Sequence, residues 1–118
     1  MKKILVVDDE FDILTTWRLV LEMEGYEVST ATNGKTALDA ARSNKPDLVI
    51  TDWMMPHMNG VALIAELAAS ETLGDVPVIL MSAAANAPKL EHANARFHRK
   101  PLSIDDLLAT VQQMIGPA

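Results

Sequence analysis

Leu48-Val-Ile-Thr-Asp-Trp-Met-Met-Pro-His-Met-Asn-Gly60 decides how this chain folds. Three consecutive apolar residues, two of them β-branched, run into turn formers and read as a strand buried on both faces. The strand ends on a carboxylate, Asp52. Open α/β sheets keep their chemistry beyond the carboxyl ends of their strands, and the Met55-Pro56 and Asn59-Gly60 pairs mark a loop there. An isolated aspartate in such a place is more often a turn or cap residue than a reactive group, so the meaning of Asp52 rests on what the rest of the chain brings to it.

Upstream, Ile4-Leu-Val-Val7 is a second apolar run without alternation, and it also ends in acids, Asp8-Asp9-Glu10. Ile13, Leu14, Trp17, Val20 and Leu21 then recur at helical spacing as far as Gly25, a natural stop. Glu27 to Ala31 alternates as a strand nearer a sheet edge, and Asn33-Gly34 turns the chain into a helix from about Lys35 to Ser43, closed by Pro46. Downstream, Asn59 can cap a helix bearing Val61, Ile64, Leu67 and Ala68, and Gly74-Asp75 is a turn. Val76 to Met81 reads as a strand ending at Ser82, with Pro77 tolerable only near its start. Ala83 to Ala95 has high helix propensity but is interrupted by Pro88, so only a short helix from about Pro88 to His92 is expected. Arg96 to Arg99 reads as a fifth strand ending at Lys100-Pro101. Ser103 then caps a last helix whose apolar face is Leu107, Leu108, Val111, Met114 and Ile115, stopped by Gly116-Pro117.

Strands alternating with helices at these lengths imply right-handed βαβ units and a parallel sheet. The expected fold is an α/β flavodoxin-like three-layer sandwich, a five-stranded sheet of order 2-1-3-4-5 with helices on both faces and its switch point between the first and third strands. Asp8 and Asp9, Asp52, Ser82 and Lys100 each end a strand and therefore fall at one edge.

The 118 residues fit one domain, taken as 1–118, large enough for a single core. A formal charge of −6 argues against direct binding to nucleic acid or an anionic membrane, since both need a basic surface. Without cysteine, disulfides, thiolate catalysis and Cys-based zinc sites are excluded. Lys2-Lys3 precede an apolar run too short for a signal peptide, and no segment is long enough to span a bilayer, so a cytoplasmic protein is expected.

If Asp8, Asp9 and Asp52 converge to about 4 Å, each ionised pair repels by roughly 4 kcal/mol at an effective dielectric near 20. Against a total stability of about 5 to 15 kcal/mol this demands either raised carboxyl pKa values or a cation. Mg²⁺ fits best: it is hard, takes oxygen ligands, and uses one or two carboxylates with waters and a phosphate. Zn²⁺ and copper fit poorly, because the three histidines lie at scattered spacings. Lys100 can neutralise an added anion, and Ser82 can donate a hydrogen bond to it, so the set resembles a phosphoryl-transfer cradle with a carboxylate acceptor, Asp52.

Val6-Val-Asp-Asp-Glu10, Ala31-Thr-Asn-Gly-Lys-Thr-Ala-Leu38, Pro46-Asp-Leu-Val-Ile-Thr-Asp52, Met55-Pro-His-Met-Asn-Gly60, Pro77-Val-Ile-Leu-Met-Ser82 and Phe97-His-Arg-Lys-Pro101 together resemble the receiver domain of bacterial two-component response regulators. The resemblance runs from the first strand to the last helix. It implies that Asp52 accepts a phosphoryl group from the phosphohistidine of a sensor histidine kinase or phosphotransfer protein. It further implies Mg²⁺ held by Asp9, Asp52 and the backbone carbonyl of Met54, with Asp8 acting mainly through water. Ser82 and Phe97 look like the switch pair, Lys100 like the phosphate-binding lysine, and a cis bond before Pro101 is implied by analogy.

Two features depart from the family. The chain between Ser82 and Phe97 is about one helical turn shorter than usual, and Asn94-Ala95 replaces a common Gly-Ala, with Asn able to take the left-handed conformation that Gly would use. These departures put the fourth helix and the output surface in question. The chain resembles single-domain regulators that act by binding a downstream protein. Two other readings compete: a haloacid-dehalogenase-like phosphohydrolase, whose Asp-x-Asp pattern is absent after the first strand, and a phosphate-independent interaction module that keeps only the fold. Met54, Met55 and Met58 read as gap-fillers, Trp17 as core, Trp53 as a partly exposed loop aromatic, and His57, His92 and His98 as surface residues.

Overall fold

Period-two alternation in the strands sends their side chains to two faces, and each face collects its own pair of helices. In a computed structural model that describes residues 1–90 and 92–118, the elements run β1 (Lys3–Val7), α1 (Phe11–Met23), β2 (Glu27–Ala31), α2 (Gly34–Ser43), β3 (Leu48–Asp52), α3 (Gly60–Ala69), β4 (Val78–Ser82), β5 (Ala95–Arg99) and α4 (Ile104–Ile115). The strands form one parallel sheet of order β2-β1-β3-β4-β5, as the alternating pattern predicts. In register, Val7 faces Thr51 on β3 and Asp52 faces Met81 on β4, so the carboxyl ends of the three central strands lie level.

Leu5, Val7, Val49, Val78 and Leu80 pack on one face against Ala37 and Leu38 of α2 and Leu63, Ile64 and Leu67 of α3. Ile4, Val6, Ile50, Ile79 and Met81 pack on the other against Leu14 and Leu21 of α1 and Leu107 and Val111 of α4. Burial on both faces explains why β1, β3 and β4 read as continuous apolar runs, whereas the edge strand β2 leaves Glu27, Ser29 or Thr30 in contact with water. Asn33, Asn59 and Ser103 cap α2, α3 and α4, their side-chain oxygens accepting from the backbone N–H of Thr36, Ala62 and Asp106.

The helix expected over Pro88 to His92 does not form: residues 83–90 and 92 are irregular, and Glu91 lies outside the described residues. Pro88 would open such a helix, where proline is tolerated, so the proline itself is not what prevents it. The span between Ser82 and Ala95 must turn at both ends, which leaves too little chain for a helix. Leu90 nevertheless packs against the core on the α2–α3 face. Nor does Asn94 take the left-handed conformation; among the described residues the non-glycine residue with positive φ is His57, at 68° in the loop after β3. β4 begins at Val78, after Pro77, which cannot donate to the ladder. Trp17 is half-buried at the border of the α1–α4 layer. Trp53, Met55 and Met58 pack against the other face, but Met54 is 61% exposed and fills no gap. His57 is exposed, whereas His92 and His98 are half-buried, His98 because it sits on a strand face beneath α4 and not in a loop.

Candidate functional site

Asp8, Asp9, Asp52, Ser82 and Lys100 leave the ends of β1, β3, β4 and β5, and the level register brings their side chains to one sheet edge. The Asp8 N–H donates to the Ala31 carbonyl at 3.1 Å, carrying the pairing with β2 one step past the strand. Its Oδ1 accepts from the Glu10 N–H at 2.9 Å, so part of this residue does serve the start of α1, while Glu10 itself makes no side-chain cap. Its Oδ2 is buried without a hydrogen-bond partner and lies 3.7 Å from the Lys100 ammonium. That ammonium is 2.9 Å from Asp52 Oδ1. Lys100 is aimed there because its own N–H donates to the Ser82 carbonyl at 2.8 Å, extending the β4–β5 ladder.

One oxygen each from Asp8, Asp9 and Asp52 lies within 4.8 Å of the others. Three acids face one ammonium, so the cluster retains an uncompensated negative charge. Burial, opposed by the Glu10 N–H, pushes the Asp8 carboxyl above the usual aspartate value; Asp52 and Asp9 push it further and Lys100 pulls it back. Burial pulls the Lys100 ammonium down, but the Asp52 hydrogen bond and charge, with Asp8 and Glu10, outweigh it and hold it above the ordinary lysine value. An all-oxygen set with one buried, unpartnered carboxylate oxygen suits a hard divalent cation of the Mg²⁺ type. Among the described residues the Met54 carbonyl accepts no hydrogen bond, leaving it free to join such a set.

Ser82 is buried, and its Oγ accepts from the Ala84 N–H at 3.1 Å. Phe97 is half-buried on β5 opposite Leu80, on the face covered by α3. The Lys100–Pro101 bond is cis. Beside Lys100, Ile13, Trp17, Met81, Pro101 and Leu102 line an apolar groove of about 490 Å³ between α1 and the start of α4. The groove was not legible in the sequence, because its walls are far apart along the chain and come together only in the fold. Gly60 was read only as a turn residue. A Cβ there would collide with the Asp52 carbonyl oxygen, so glycine is what lets α3 start directly behind β3.

Residues 4–112 match the family described as the response regulator receiver domain. The transcriptional regulatory protein PrrA of Mycobacterium tuberculosis is 34% identical over 117 residues, covering 96% of this chain and 49% of that protein. The phosphate regulon transcriptional regulatory protein PhoB of Pseudomonas aeruginosa is 34% identical over 97% of this chain and 52% of its own length. The chain thus spans about half the length of these curated relatives. Among solved structures, the chemotaxis response regulator CheY4 of Vibrio cholerae superposes with a TM-score of 0.87 at 28% identity, covering 97% of this chain and 98% of that one. The receiver domain of the hybrid histidine kinase CckA gives a TM-score of 0.82 at 31% identity, covering 96% and 98%. With sheet order, acid cluster and sequence in agreement, the chain belongs to the response regulator receiver domain family, the signal-receiving unit of phosphorelay signalling.

Proposed function

We propose that Asp52 is the phosphoryl acceptor of this receiver and that the domain catalyses its own phosphorylation and dephosphorylation. The observation that carries this reading is the Lys100 ammonium 2.9 Å from Asp52 Oδ1, beside three carboxylates within 4.8 Å of one another. Such a site has the charge to hold a phosphoryl group once a cation is present. Asp9, Asp52 and the Met54 carbonyl would hold Mg²⁺, and Asp8 would act on it through water. When bound, the cation neutralises the acids and the developing phosphoryl charge.

In the transfer, an Asp52 carboxylate oxygen attacks phosphorus as the N–P bond of a donor phosphohistidine breaks. The bonding pair returns to the imidazole, which takes a proton from water, and the product is an acyl phosphate on Asp52. Lys100 moves from pairing with Asp52 to pairing with the new phosphoryl oxygens. Ser82 gives up its bond to the Ala84 N–H and donates to the phosphoryl group, and Phe97 fills the space the hydroxyl leaves. The apolar groove beside Lys100 offers a kinase or phosphotransfer protein a surface next to the acceptor. A formal charge of −6 supports a protein target over direct contact with nucleic acid. Among the described residues no helix is long and apolar enough to cross a membrane, and the reading assigns the domain to the cytoplasm with its kinase partner.

Incubation with Mg²⁺ and acetyl phosphate tests this, read by intact mass and by acid-stable against base-labile phosphate. The expected result is one labile phosphoryl group per chain, absent in Asp52→Asn. Sustained turnover of a phosphoester would favour a hydrolase, and no uptake would favour a passive interaction module.

A further inference from the structure

The loop joining β3 to α3 carries Met54, and its shape decides where that carbonyl lies. Its ends are drawn together by the Gly60 N–H, which donates to the Trp53 carbonyl at 2.8 Å. Its turn is made by His57 at φ 68°, followed by a Met58 N–H that donates to Pro56 O at 2.8 Å. Its outer side is fastened to an element that takes no part in the acid cluster. Gly34, the first residue of α2, donates its N–H to the Met58 carbonyl at 3.1 Å. A Cβ on Gly34 would stand 2.5 Å from that oxygen and 2.8 and 2.9 Å from Met58 Cγ and Cβ, so the approach is open only to glycine.

The helix itself does not call for glycine there. Asn33 already caps α2 through the Thr36 N–H, and Gly34 is not in the left-handed region. Alanine is the better helix former, so a role confined to α2 would favour it. What glycine permits is contact with the acceptor loop.

We propose that Gly34 is a positioning residue for the cation site: through Met58, the start of α2 clamps the loop after β3 and thereby fixes the Met54 carbonyl beside Asp9 and Asp52. The inference rests on the cation set assigned above. It makes Mg²⁺ affinity depend on the β2–α2 turn, 18 residues before the acceptor aspartate in sequence.

The test is Mg²⁺ titration of the full chain, followed by the fluorescence of Trp53 and, independently, by the metal-dependent rise in Tm. Wild type, Gly34→Ala and Gly74→Ala are compared. Gly74 is a control for local crowding, since a Cβ there would meet Ser70 O at 2.9 Å at the far end of the sheet. Gly34→Ala is expected to weaken Mg²⁺ binding by about tenfold or more, the usual effect of disturbing a group that orients a metal ligand. Gly74→Ala is expected to lower Tm in the absence of metal and leave the affinity unchanged. Wild-type affinity in Gly34→Ala, or an equal loss in Gly74→Ala, overturns the proposal. A wild type with no saturable response would instead remove the cation assignment itself. If Gly34→Ala does not fold, Met58→Gly, which strips the side chain packed on Gly34, is expected to lose affinity, and unchanged affinity there overturns the clamp.

Discussion

At neutral pH the buried carboxylate of Asp8 faces Asp9 and Asp52 with one of its oxygens lacking a hydrogen-bond partner. Ionised pairs at such separations cost about 3 to 4 kcal/mol at an effective dielectric near 20, and Lys100 offsets only part of it. Asn at this position keeps the oxygen that caps the Glu10 N–H and removes the charge. Asp8→Asn is therefore expected to melt several degrees higher than wild type in EDTA, with about 1 kcal/mol corresponding to roughly 3 to 5 °C in a chain of this size. Added Mg²⁺ should raise the Tm of wild type more than that of the variant. A lower Tm in EDTA combined with equal metal effects would show that the three acids do not share one charge-crowded site. On the proposed function, such crowding is what would supply the affinity for a cation.

Among the elements, β5 forms where the sequence predicts, but it carries a histidine expected at the surface into the α4 interface. Burial lowers the His98 pKa below the usual histidine value, Arg96 on the same strand face lowers it further, and Asp106 of α4 partly opposes both. The unfolded chain therefore binds a proton more readily than the native one. The stability contribution is fully present above about pH 6.5 and is lost as pH falls through the depressed native pKa. Thermal melts between about pH 7.5 and 5 should show wild type losing stability faster than His98→Gln as acid is added, with parallel curves counting against a buried, neutral His98. The crossover before β5 is fixed by the short span it must bridge. Its described residues 83–90 and 92 hold no helical ladder, and Leu90 anchors it to the core.

For the molecule as a whole, the consequence is an uneven distribution of stability. β1, β3 and β4 are buried on both faces, whereas residues 83–90, directly after Ser82, hold no regular backbone ladder. Segments with few backbone hydrogen bonds open at low free energy, so on the proposed function this is where phosphorylation would most cheaply be read out. Amide exchange after treatment with acetyl phosphate and Mg²⁺ is expected to change most across Ala83 to Pro101 and little in β1 and β3. Change concentrated in α1 or α2 would place the output elsewhere. The five-stranded order, the caps at Asn59 and Ser103, and the strand-end positions of Asp8, Asp52, Ser82 and Lys100 were all legible in the sequence, because apolar period and turn chemistry are local properties. The failed Pro88 helix, the half-buried His98, the groove at Trp17 and Leu102, and the Gly34–Met58 approach were not. Each depends on how closely two remote segments come together, a distance set by packing of the whole sheet and its helices. The chain's own pattern determined which chemical groups reach the sheet edge; only the tertiary structure decided how far apart they stand and what holds them there, because charge repulsion, burial and steric exclusion act through space and not along the backbone.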